Sequence, residues 1–222
     1  MMTPGERRIL CIHEAAHAVI AGLAGVFVEK VVAGVASGYC IKDGFLVQPE
    51  FLRWDEDAGQ YHSDRAAFEA YFREVERQIN AWDAATKKSA GIADTVRNTL
   101  LTTRRAVRAD LCVLLAGPIA EAIVANEETW SLVVEFDFDT DNVKDYDIPK
   151  ALALAGLLPS AKELEHARIN TEAMLRRPEI WDRVQALADL LEQRGELCEE
   201  LDVMLPPAQR GWPTSPQTRV RT

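Results

Sequence analysis

The chain has 222 residues, 48% apolar and 27% charged, enough to bury one sizeable core, and this sets an expectation of one domain. Thirty-five acidic against 25 basic residues give a formal charge of -10 with no basic block, which argues against nonspecific binding to nucleic acid or to an anionic membrane surface. Cys11, Cys40, Cys112 and Cys198 are scattered with no C-x-x-C pair, so a disulfide framework and a cysteine zinc site are both disfavoured and a reducing, cytoplasmic setting is expected.

In chain order, Thr3-Pro4-Gly5-Glu6 reads as a helix start: Thr3 caps, Pro4 fits the first helical position and Glu6 completes a capping box. The helix is expected to run to about Leu23, with Gly22 and Gly25 marking its end. Inside it lies His13-Glu14-Ala15-Ala16-His17. Positions i and i+4 of a helix sit about 40° apart around the axis and about 6 Å along it, so both imidazoles can face one ion. Glu14, beside the first histidine, can then face a water on that ion as general base without being a ligand itself. The bland alternative is an amphipathic helix whose polar stripe happens to read this way. Apolar flanks on nearly every side count against it, because a buried carboxylate with two imidazoles is costly unless something compensates it. The apolar stretch that follows has only eleven residues before Glu29, too short to span a bilayer as a helix, and no secretory signal precedes it.

Val26 to Val35 and Tyr39 to Val47 read as two short strands, either a sheet edge beside the histidine helix where an extended peptide can add as another strand or, equally, a small hairpin that only covers the core. Residues 48 to 60 turn polar and acidic and read as a loop. A helix is expected from His62 to Trp82, with Phe68, Tyr71 and Phe72 as core, and another from Thr95 to Asn126, kinked or divided at Gly117-Pro118. The second half of the latter is apolar except for Asp110 and Glu121. Glu121 is either an ion-pair partner of Arg104, Arg105 or Arg108, or a metal ligand or histidine partner. An aspartate-rich loop leads to a helix over Ile148 to Leu158; amphipathic helices over Lys162 to Arg176 and Pro178 to Gln193 follow. Residues 206 to 222 are Pro-rich and expected to be a disordered tail.

Two imidazoles make a weak, uncharged site, so a carboxylate from elsewhere must supply a third ligand. Among Glu121, Asp137, Asp139, Asp141, Asp145 and Asp147, only Asp147 opens an apolar helix able to pack on the histidine helix and hold a carboxylate inward. Glu121 is the second choice.

With these residues in hand, the chain resembles the peptidase domain of the FtsH family, the ATP-dependent zinc metallopeptidases. HEAAHAVIAG is similar to the family's HEAGHA-type helix, LLAGPIAEAIV to its LxGRxAEE helix, and DIPKALALA to its D-L-x-x-A-T segment. The C-terminal run MLRRPEIWDRVQALADLLEQRGELCEELDVML is similar to its closing helices. The patches occur in the family's order over roughly residues 6 to 205; Ala16 and Pro118 depart from its glycine and arginine. The resemblance implies a mainly α zincin-like metallopeptidase domain with a small β-sheet over residues 1 to 205. It also implies Zn2+ on His13, His17 and Asp147, Glu14 as base, and a polypeptide substrate, unfolded or flexible. No G-x-x-x-x-G-K-[ST] loop is present, so the expected hydrolysis is independent of ATP, with no membrane segment in this chain. The rival expectation is a silent peptidase-like binding or adaptor protein that keeps the metal site. Homo-oligomerisation and a separate unfoldase stay open as partners.

Overall fold

The computed structural model describes residues 2–35, 37–42, 51–86, 90–129 and 147–213. It is mainly helical with a small sheet, as expected. Helix α1 (Pro4–Ala24) starts on the anticipated capping box, with the Thr3 hydroxyl accepting from the Glu6 backbone and the Glu6 carboxylate accepting from the Thr3 backbone. It ends on Gly25 in the left-handed conformation. From Cys11 to Leu23 only His13 is more than marginally exposed, so this helix is the core element about which the others pack.

Strands β1 (Val28–Ala33) and β2 (Gly38–Lys42) follow and pair antiparallel, with Val31 opposite Cys40 and Val32 opposite Tyr39. The expected strand extension from residue 43 to 47 lies outside the described residues. The loop expected up to residue 60 and the helix expected from His62 are both corrected between residues 51 and 63, where β3 (Leu52–Asp55) and β4 (Gln60–Ser63) form a hairpin. It is polar because most of its side chains are solvated, and it is held by the cross-strand pair Trp54 and Tyr61, rings 5.1 Å apart edge to face. His62 accordingly sits in a strand, 3.1 Å from Asp55, and does not open a helix. Helix α2 (Arg65–Thr86) starts instead after Asp64, whose carboxylate accepts from the Ala67 backbone at 2.8 Å.

Helix α3 (Ala90–Ala125) runs through Gly117-Pro118 without being divided. Helices α4 (Asp147–Leu157), α5 (Glu163–Leu175) and α6 (Pro178–Arg194) match the expected segments within a few residues. A short strand β5 (Glu196–Leu197) adds to the free side of β1, giving the order β2-β1-β5, and the one-turn α7 (Leu201–Met204) follows. α1 lies between α3 and α6, with the three-stranded sheet along its side and α4 against α3. Arg8 ties α1 to α6 through Gln185, Asp189 and Glu192.

The disorder expected from residue 206 is corrected for 206 to 213. The Gln209 backbone donates to the Leu23 carbonyl at 2.8 Å, Trp212 is only 3% exposed, and Arg105 donates to the Trp212 carbonyl at 2.7 Å. One large aromatic outweighs the polar composition around it. Residues 214 to 222 lie outside the described residues. Among the described residues no helix is long and apolar enough to cross a membrane.

Candidate metal centre

The helical spacing of His13 and His17 brings their Nε2 atoms to 2.9 Å of each other. Each ring uses its other nitrogen outward: His13 Nδ1 donates to Glu121 Oε1 at 2.7 Å, and His17 Nδ1 donates to the Val113 carbonyl at 2.6 Å. These bonds select the tautomer in which both Nε2 lone pairs point inward, the arrangement typical of metal-ligating histidines. Asp147, the first residue of α4, places Oδ2 3.2 Å from His13 Nε2 and 3.0 Å from His17 Nε2. Three lone-pair donors from two helices therefore face one another, and among the described residues these three form a group able to hold a metal ion.

The donor set fits zinc. Tetrahedral bonds of about 2.0–2.1 Å put ligand atoms about 3.3–3.4 Å apart. The observed separations of 2.9 to 3.2 Å need to open by only a few tenths of an ångström. Three acceptors this close repel unless a proton or a cation lies among them, and the titration behaviour reflects that demand. Burial alone would lower the pKa of His13, but its bonds to Asp147 and Glu121 outweigh it and hold the imidazole up at about 10. Burial works to raise Asp147, yet the His17 charge and the bonds to both rings hold its carboxyl well below the usual range.

Glu14 is 4% exposed and lies on the cleft side of α1. Burial raises its pKa, with both imidazoles opposing, so it is a stronger base than a solvated carboxylate. It is not in the ligand group. Two close approaches hold the pair in place. A Cβ on Gly38 would stand 2.5 Å from Glu14 Oε1, and a Cβ on Gly117 would stand 2.4 Å from His13 Nε2. Glycine is the residue that leaves both side chains their room.

The cleft that contains these groups has a volume of about 460 Å3 and runs between β2 and α3. Val113, Leu114 and Glu121 form its α3 wall; Gly38, Tyr39, Cys40 and Lys42 form its β2 wall. Burial, helped by the Glu14 charge, pushes the Cys40 thiol up to about 12, and its sulfur is not in the group of converging donors. Lys42 reaches across to an ion pair with the buried Asp110 of α3.

All four residues singled out in the sequence thus meet: His13, His17 and Asp147 as converging donors, and Glu14 beside them. Glu121, the second choice for a ligand, instead orients His13, and the arginines considered for it bind elsewhere: Arg104 to Glu69, Arg105 to Trp212 and Arg108 to Glu163. Asp137, Asp139, Asp141 and Asp145 lie outside the described residues. Sequence reasoning missed the Val113 carbonyl, the two glycine approaches and the Lys42 pair. Of these, Gly117 was signalled by a Gly-Pro step inside a helical pattern, and Asp110 by its charge in an apolar run. No protein-family model matches the chain, and no curated protein matches it.

Proposed function

We propose that this chain is a zinc-dependent peptidase of the FtsH peptidase type, hydrolysing peptide bonds in unfolded or flexible polypeptides without ATP. The observation that carries the reading is the convergence of His13 Nε2, His17 Nε2 and Asp147 Oδ2 beside a buried carboxylate that is not one of them. Three protein ligands leave a fourth position for water or substrate, the arrangement of catalytic rather than structural zinc. When bound, zinc supplies a Lewis acid that polarises the scissile carbonyl and a water acidified to a pKa of about 7. Glu14 takes the proton of the attacking water and delivers it to the leaving amine nitrogen. Glu121 and the Val113 carbonyl keep the two imidazoles in the binding tautomer throughout. Among the described residues β2 is the edge of its sheet, and beside Glu14 it offers backbone groups along which an extended substrate can lie.

The test is a comparison of Glu14→Gln with the parent chain. Elemental analysis should find zinc in both, while digestion of an unfolded protein should fall by a factor of about 10²–10⁴ in the variant and stop in the parent on chelation. Loss of zinc from the variant, or undiminished digestion by it, rules out Glu14 as the base.

A further inference from the structure

The cleft wall contributed by β2 carries a graded set of side chains. Residues 38, 40 and 42 alternate to the same face of the strand and are the less exposed ones, whereas the side chains of Tyr39 and Ile41 are exposed. Along that face the order is Gly38 over the Glu14 carboxylate, then the Cys40 thiol, then the Lys42 ammonium. The opposite side carries a carboxylate at each end. Asp110, which holds Lys42, and Glu121, which holds His13, are eleven residues apart on α3, three turns along one face. One end of the trough therefore gathers Glu121, Asp147 and the metal donors, and the other presents a cation.

The Lys42–Asp110 pair is nearly buried, and such pairs contribute little net stability against an apolar replacement. What the pair does is fix an ammonium in the wall of the cleft, with one proton on Asp110 and, among the described residues, no second acceptor for its other donors. We propose that Lys42 is a carboxylate-recognition subsite that selects peptides carrying an acidic side chain or a terminal carboxylate two to four residues from the bond cleaved. The spacing follows from strand geometry: an extended peptide advances about 3.4 Å per residue, and the strand from Gly38 to Lys42 covers about 13 Å. The preference is one-sided, because a carboxylate placed toward Glu121 and Asp147 meets like charge. This inference rests on the peptidase reading for its substrate class, but its test reads binding and not turnover.

The measurement uses the zinc-loaded full chain carrying Glu14→Gln and a fluorescent, otherwise uncharged extended peptide in which a single Glu is walked through the sequence, each with its Gln counterpart. A second series carries a free or an amidated C-terminus. Anisotropy should show binding about tenfold tighter for Glu than for Gln at one or two adjacent positions only; a gain confined to the free C-terminus identifies the terminal carboxylate as the group recognised. Lys42→Gln combined with Asp110→Asn removes the charge without orphaning a buried carboxylate and should bring the ratio to about one. Lys42→Glu combined with Asp110→Asn should favour a Lys peptide instead. Lys30→Gln, on β1 and paired with Glu196, should leave the ratio unchanged. A ratio of one in the Glu14→Gln protein, or a ratio that survives the double variant, overturns the proposal even if the parent cleaves peptides. A ratio abolished by Lys150→Gln, on the α4 side of the cleft, and not by the Lys42 variants overturns it as well. Carboxylate-selective binding with no cleavage by the parent would instead sink the peptidase reading and leave Lys42 as a recognition group.

Discussion

Gly117 and Gly38 occupy positions where a single methyl group would collide with the chemistry, and each touches a different part of it. Gly117→Ala pushes on the His13 ring, which cannot flex, so zinc affinity should fall by about tenfold or more, a loss of at least about 1.4 kcal/mol by titration against a competing chelator. Gly38→Ala pushes on Glu14, which is no ligand, so zinc should be retained while kcat falls by about 10²-fold, the usual cost of an ångström of misplacement. Equal effects of the two variants on zinc binding would contradict the separation of base from ligands. Glu121→Gln should weaken zinc by about 10–100-fold as an orienting partner, and Asp147→Ala should weaken it further as a ligand. A titration in which Glu121 matters and Asp147 does not would exchange their roles. At this scale the histidine pair and its glutamate were readable in the sequence because their geometry is local, fixed by a helix within five residues. Asp147 required a judgement about which carboxylate a distant helix holds inward. The outward partners were not readable: a backbone carbonyl such as that of Val113 carries no side-chain signature.

Elements whose sides differ sharply in polarity were legible, and elements defined by pairing were not. The helices follow from 3.6-residue periodicity and from end signals such as Thr3 and Glu6. The β3–β4 hairpin reads as a loop in the sequence because its register depends on Trp54 meeting Tyr61 across a turn, and its composition is that of a solvated surface. The segment after Pro206 hides its order for the opposite reason: one residue, Trp212, anchors a run whose composition is that of an unstructured tail. Its burial gives a direct check. Trp212→Ala should destabilise the fold by about 3–5 kcal/mol in urea unfolding, whereas an alanine at the exposed Val203 should change stability by under about 0.5 kcal/mol. A Trp212→Ala chain as stable as the parent would show that the 206 to 213 segment does not pack as described.

For the molecule as a whole, the metal-free centre ties stability to pH. The His13 pKa is raised to about 10 from 6.5, so its stabilising contribution is complete below about pH 6.5 and is lost as pH rises through 10. Asp147 is shifted the other way, so its contribution is present above pH 3.8 and is lost only as pH falls well below that value. Thermal melts of metal-stripped protein should therefore show a midpoint that declines from pH 7 to pH 10, and zinc, which replaces the proton, should flatten that decline. Zinc binding at pH 7 should release a proton, measurable as a dependence of calorimetric heat on the buffer's ionisation enthalpy. Melts that are flat from pH 7 to pH 10 without metal would mean that His13 is neutral in the folded chain.

The two halves of the centre stand 134 positions apart along the chain, His13 near one end of the core and Asp147 well beyond its middle. At translation rates of about 5–20 residues per second, roughly 7 to 27 s separate the synthesis of the histidine helix from that of its third donor. During that interval a growing chain holds only a weak two-imidazole chelate and lacks α4, the element that positions the carboxylate. The three-donor centre thus comes together late in synthesis, and with the peptidase activity proposed for it the ribosome-bound chain would be spared from attacking itself or its neighbours while it is still unfolded.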